Sequence, residues 1–388
     1  MKLERDSISP NQFMFSIICF MHAIVLRSGF IISITRQDSW IMSITGFIFS
    51  LLPLGVYVAL MKNYPNKNLI EINQAVFGKI VGNLISLFYL FFFLSLAALN
   101  THDLGHFVLS YMLPETPVAI IVLFFLGACF YSLKKGVKNI MHLSTLIAFV
   151  TLIAMIINSV LIAKDTHFEF IFPLLQLEPE KYVQGTVSIG AVVMGEVLVF
   201  TMLTPMLKNG KKVGKSLFFG MLISTFSSVV VMIRNILTLG PLVTVVTLPT
   251  FESIRNVSLA DIFTRLESIY AILLVILFVV RVSILIYVSV LAMTQIFSKE
   301  SPIVPELAYE NSPREKKKHQ NQPPFLLLTT ALTFFYSLIV FESPIENSHW
   351  GATVAPFFSL TFELLLPAIT LVAAIFRKIV SKKKEVNA

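Results

Sequence analysis

The chain has 388 residues, of which 56% are apolar and only 13% charged, against about 25% charged in an ordinary soluble domain. Its mean hydropathy of +0.81 excludes a water-soluble globular enzyme. The net charge of +8 is not a nucleic-acid footprint, because the cations fall on short loops between apolar runs, where they set orientation and face anionic lipid.

Ten apolar runs follow one another along the chain, over 11–32, 41–61, 80–99, 117–133, 141–163, 185–207, 217–239, 269–297, 325–341 and 354–376. Each approaches the ~20 residues that a helix rising ~1.5 Å per residue needs to cross ~30 Å of hydrocarbon. With the N-terminus in the cytoplasm, 22 of the 30 basic residues fall in inside segments and five in outside loops. The five are Arg36, Lys164, Lys181, Arg255 and Arg265, and Arg27, Arg234 and Arg281 lie within runs. That asymmetry predicts ten transmembrane helices with both termini cytoplasmic, in an all-α polytopic membrane protein.

The division expected from the runs is a single integral membrane domain over 1–388. It comprises a cytoplasmic N-terminus (1–10), five helices over 11–163, five more over 185–376 and a basic tail (377–388). The opening segment carries mixed charge and no small-residue cleavage site, so the first run reads as a retained helix. Cys19 and Cys129 sit inside runs and read as small buried hydrophobes. In the third run, Phe92, Leu96 and Asn100 form an i, i+4, i+8 stripe. His102 and His106 follow it and are expected as loop-end histidines near the outer interface.

The sixth run contains Gly190, Gly195 and Glu196 near its centre. A carboxylate at that depth is costly unless matched, and a Gly–Glu pair there marks a site of local unwinding, which membranes tolerate only around a cavity or inside protein. Late in the seventh run Arg234 is expected to reach outward and snorkel to water, as is Arg27 in the first. The outer connection 240–265 carries TVVTLPTFESI, expected as a short membrane-surface segment.

Arg281 occupies the middle of the eighth run with Leu285 on its face. Its guanidinium can neutralise Glu196 or hold a substrate carboxylate. The polar stretch 298–324 reads as a flexible cytoplasmic linker. No Gly-rich phosphate loop, zinc spacing or hydrolase triad occurs in the sequence, so neither catalysis nor a cofactor is expected.

The segments ISPNQFMFSI, DSWI (Asp38–Ile41), MGEVLVF (Met194–Phe200) and FTRLES (Phe263–Ser268) occur in an order and spacing that resembles the B subunits of bacterial spore nutrient-germinant receptors. The likeness covers essentially the whole chain. That family is similar to amino acid–polyamine–organocation transporters, which implies two inverted five-helix repeats with the first and sixth helices broken at mid-membrane.

The resemblance implies one ligand site formed by His22, Ala23 and Ile24, by Phe92, Leu96 and Asn100, by Val193, Met194, Gly195 and Glu196, and by Arg281 and Leu285. The GxG often found at the first break is absent; the chain reads CFMHAIVLRSGF, with His22 as the polar contact. The implied partners are A and C receptor subunits, a small nutrient such as an amino acid, and membrane lipid. The implied location is the inner membrane of the spore or the cell membrane. A proton-coupled amino-acid transporter using Glu196, and a pore gated by Glu196 and Arg281, are the other readings of the same residues.

Overall fold

The computed structural model describes residues 3–4, 8–23, 28–208, 210–255, 266–297, 303–304 and 325–386. Among the described residues the regular structure is helical apart from one parallel pairing of two-residue strands, β1 (Leu3–Glu4) and β2 (Ile303–Val304). Helix α1 (Pro10–His22) starts on a reciprocal cap. The Ser9 hydroxyl accepts from the Gln12 N–H and the Gln12 side chain accepts from the Ser9 N–H, at 3.2 and 3.0 Å, with Pro10 opening the helix. The motif SPNQ is therefore a helix start written in full.

Helix α2 (Ser28–Thr35) and α3 (Ser39–Asn63) meet at Asp38. The Asp38 carboxylate accepts from Leu175 N–H at 3.1 Å and Tyr182 O–H at 2.8 Å, pinning the outer segment to this corner. Helix α4 (Leu69–Tyr111) begins eleven residues before its apolar run and ends twelve beyond it. It bends at Gly78, whose φ of +82° a side chain would strain. His102 and His106 thus lie within the last turns of α4 rather than at a loop end, and His102 is buried.

Helices α5 (Val118–Lys134) and α6 (Val137–Ile162) follow. After α7 (Pro179–Ser188), the backbone makes a π-turn over Ile189–Val193 and then 3₁₀ turns over Gly195–Met202. Helix α8 (Val213–Leu239) leads to a short α9 (Pro249–Arg255), then α10 (Leu266–Phe297). The expected surface segment is instead tucked in: Thr250, Phe251 and Ser253 of α9 are buried. Asn235 ties it to α8 by donating to Thr250 Oγ1 and accepting from Ser253 Oγ, both at 2.9 Å.

Helices α11 (Phe325–Ile339) and α12 (Pro344–Thr353) are bent by 97° to each other. They are followed by α13 (Ala355–Leu360), a second π-turn over Thr361–Leu365 and α14 (Leu366–Val386).

Among the described residues, seven helical segments are long and apolar enough to cross a membrane, or eight if the bent pair α11–α12 is one crossing. The first and fourth runs yield shorter helices, α1 with 13 residues and α5 with 17. Burial sorts the segments into shells. The apolar window within Pro179–Met202 is 89% buried, whereas that within Val137–Asp165 is 22% buried and presents Leu146, Ile153, Ile156 and Val160 outward. A helix apolar on its outer face needs lipid there, so α6 is peripheral and the broken sixth run is the axis of the molecule. At one end of that axis, Ile8 pairs with the chain at Leu207, through Ile8 N–H to Met206 C=O and Lys208 N–H to Ile8 C=O, both 2.9 Å.

Candidate functional site

The break in the sixth run is built from small residues and their neighbours. Gly46 of α3 and Gly190 lie back to back: a Cβ on Gly46 would stand 2.7 Å from the Ile189 side chain, and one on Gly190 2.5 Å from Phe49. The π-turn closes with Met194 N–H donating to Ile189 C=O at 2.9 Å. A Cβ on Gly195 would overlap the Glu363 carboxylate, so glycine there admits the second π-turn. The expected unwinding at Gly195–Glu196 is present, and its cause is close approach from α3 and from the last apolar run.

On one side of the break stands a fully buried polar cluster centred on Arg281. Its Nη2 donates to Glu196, its Nε to Asn100 Oδ1 at 2.7 Å and its Nη1 to the Phe20 carbonyl at 2.7 Å. The Phe20 carbonyl lies in the last turn of α1, the end of a helix where carbonyls seek donors and a cation is favoured by the helix dipole. The guanidinium lies 4.2 Å from the Phe20 ring centroid, a cation–π contact. All three nitrogens of the fork are engaged, and α1, α4, the sixth run and α10 are joined through it. In geometry, the ion pair with Glu196 is the arrangement present.

On the other side lies an apolar cavity with about 100 Å³ of free space, room for several waters at the ~10–15 Å³ each needs by the same measure. His22, Val193 and Met194 line it, together with residues of α6, α8 and α10. Phe92, Leu96, Asn100, Glu196, Arg281 and Leu285 do not. Phe92 stacks on Phe362 at 4.7 Å and an 11° interplanar angle, while Leu96 and Leu285 are packed core. Ala23 is buried at the end of α1, and Ile24 lies outside the described residues. Of the twelve expected residues, His22, Val193 and Met194 thus form part of the cavity wall and Asn100, Glu196 and Arg281 a closed latch, while the other described ones belong to neither.

Two features were missed in the sequence. Glu363, buried in the last apolar run, has no hydrogen-bond partner for either carboxylate oxygen among the described residues. It lies within electrostatic reach of Glu196, and Tyr57 Oη donates to its backbone carbonyl. The signal was available, since a lone carboxylate in an apolar run carries the same cost as Glu196. Arg234, expected at the water interface, is buried beneath α9 and lines the cavity.

A second cavity, of about 320 Å³, opens near the far end of α4 between His102, His106, Asn347 and Val192. The two imidazoles are 4.3 Å apart, and Asn347 donates to Asp103, fastening α12 to α4.

A family profile described as spore germination protein matches residues 7–304. The chain belongs to that family. Spore germination protein KB of Bacillus subtilis (strain 168) is 24% identical over 387 residues, covering 97% of this chain and 96% of the relative. Spore germination protein B2 of the same organism is 26% identical over 229 residues, 58% of this chain and 61% of the relative.

The solved structure of Mhp1, a nucleobase-cation-symport-1 family transporter in a closed conformation with bromovinylhydantoin bound, superposes with a TM-score of 0.61. It is 12% identical and covers 95% of this chain and 78% of that one, so the likeness is one of fold. This spore germination protein is thus an integral membrane protein of a spore-forming bacterium, with a transporter-like helical fold.

Proposed function

We propose that this chain is the membrane subunit of a spore nutrient-germinant receptor. It receives a small nutrient of the amino-acid class in the cavity beside the broken sixth run and triggers germination together with A and C partner subunits in the spore inner membrane. The ten apolar runs cross the membrane as ten spans in two inverted five-helix repeats. Both termini are cytoplasmic, the stretch 298–324 is a cytoplasmic linker, and no catalysis is involved.

The observation that carries this reading is the position of the cavity. Its wall includes His22 at the end of α1 and Val193 and Met194 at the π-turn, two places where a helix ends or changes its winding. Glu196, two residues beyond Met194, holds Arg281, and neither of the two lines the cavity. A solute that reshapes the π-turn therefore acts directly on a latch joining four elements. A population shift of that latch is the signal that partner subunits would read, and its size is bounded by the differential affinity of the solute for the two states.

Filling the cavity tests the reading. Ser227→Phe, which places a ring in the space, is expected to abolish the nutrient response of spores while leaving the membrane level of the protein unchanged. An unchanged dose–response in that variant would remove the cavity from the mechanism. The fold also suits a transporter, and robust amino-acid uptake by the purified chain in liposomes would replace the receptor reading with that one.

A further inference from the structure

Among the described residues the cavity has one cationic wall residue. Helix α8 presents Ser224, Ser227, Ser228, Val231 and Arg234 to it at spacings of three and four, one helix face ending in a guanidinium. The two serines bonded within α8 use their hydroxyls on backbone carbonyls of their own turn: Ser224 donates to Gly220 at 2.8 Å and Ser227 to Ile223 at 3.0 Å. Arg234 differs. Its Nε and Nη2 share one neutral acceptor, Asn235 Oδ1, at 3.3 and 2.9 Å, and that oxygen also takes the Ser253 hydroxyl.

No carboxylate pairs with Arg234 among the described residues; the phenol facing it is Tyr270, which lines the same cavity. A buried guanidinium with a single shared acceptor is costly, and its planar fork matches a carboxylate in two-point geometry.

A second observation points into the same space. His22 is nine-tenths buried, lines the cavity and has no partner for Nε2 among the described residues. Thr151 Oγ1 lies 2.9 Å from Nδ1 and already donates to Ala148 C=O at 2.9 Å, so it accepts from Nδ1–H. In the neutral ring this leaves Nε2 a bare acceptor, able to take a hydrogen bond from a solute.

We infer that the cavity is a site for a small solute bearing a carboxylate, gripped by Arg234, with His22 Nε2 accepting from a donor on the same solute. The inference rests on the nutrient-binding reading of this cavity and assigns its anion-recognition residue to Arg234 rather than to Arg281, whose fork is engaged.

The test is thermal unfolding of the purified full chain in detergent against a fixed panel. The panel comprises the twenty L-amino acids as free acids, the same compounds as primary amides, and glucose and adenosine. The expected result is that every stabilising solute carries a carboxylate and that its amide fails. Arg234→Lys should raise the half-saturating concentration tenfold or more, and Arg234→Gln should remove the stabilisation. His22→Phe should weaken it without altering the preference for acid over amide.

A neutral solute that stabilises as well as any acid overturns the inference while leaving a nutrient site in place. So does a free acid that protects Arg234→Gln at its wild-type concentration. If no solute stabilises the wild-type chain, the nutrient-binding reading falls first and the inference with it. Arg234→Lys keeps the charge in the wall and decides the matter if Arg234→Gln yields no folded protein.

Discussion

Arg281 and Arg234 are both arginines buried in apolar runs, and the molecule uses them oppositely. Arg281 has a carboxylate, an amide oxygen, a helix-end carbonyl and an aromatic face around it. Arg234 has one shared amide oxygen and a cavity. The first is a closed junction, since each of its three nitrogens already donates to a protein acceptor. The second is open, because the described residues supply no carboxylate to pair with it. The carboxylates show the same contrast: Glu196 is paired, whereas Glu363, across Gly195, has neither oxygen hydrogen-bonded among the described residues. In a membrane interior a saturated polar group builds structure, and an unsaturated one is available for function.

The largest expected effect breaks the junction. Removing one partner of a buried pair strands the other, a loss of about 3–5 kcal/mol. Arg281→Leu or Glu196→Leu alone is therefore expected to lower the melting temperature steeply or prevent accumulation in the membrane. The combination Arg281→Leu with Glu196→Leu should recover most of the loss. Arg234→Leu abandons no counter-charge among the described residues and should melt close to wild type. Equal destabilisation by Arg234→Leu and Arg281→Leu would erase the distinction.

Next in size is the close approach at the break. Gly195→Ala forces a methyl against the Glu363 carboxylate, and overpacking of this kind costs about 1–3 kcal/mol. Shortening the opposing side chain, in Gly195→Ala with Glu363→Ala, should restore part of the melting temperature. No recovery would mean that the backbone, and not the Glu363 side chain, sets the need for glycine.

Glu363 by itself sharpens the contrast in the other direction. A buried polar group without a partner costs about 1–3 kcal/mol, so the similarly shaped apolar Glu363→Met is expected to raise the melting temperature. A drop comparable to that of Glu196→Leu would show that Glu363 has structural partners of its own.

The smallest effect probes the aromatic face of the junction. Phe20→Leu removes the cation–π contact with Arg281, worth about 0.5–2 kcal/mol depending on desolvation. A double-mutant cycle with Arg281→Leu should show that most of this term vanishes once the cation is gone. Strict additivity would assign the loss to packing alone.

Much of the core was legible because polar residues in apolar runs are rare. Glu196, Arg281 and Asn100 were singled out in the sequence, and the structure joins them. The irregular backbone at Gly195 was likewise readable, although the sequence does not show that α3 and the last run press on it. His22, Val193 and Met194 were selected with the same site, yet they face a different space. Arg234 was misplaced for a definite reason. Its distance from the end of the seventh run suggested snorkelling, but α9 folds inward and Asn235 fastens it there through Thr250 and Ser253. The ends of the helices were harder to read, since α4 continues through a polar stretch that its neighbours bury.

The sequence by itself determined the apolar runs, the alternate loops on which cations accumulate, the start of α1 at Ser9–Gln12 and the in-membrane residues that demand an explanation. These follow from local chemistry: hydrophobic length, loop charge and capping act within a few residues. Only the tertiary structure decided which arginine is spent and which is open. The partners of Arg281 lie 85, 181 and 261 residues away along the chain, while among the described residues Arg234 donates to the amide of its immediate neighbour Asn235. Charge satisfaction in a membrane core is a matter of which distant side chains arrive, and no local pattern encodes it.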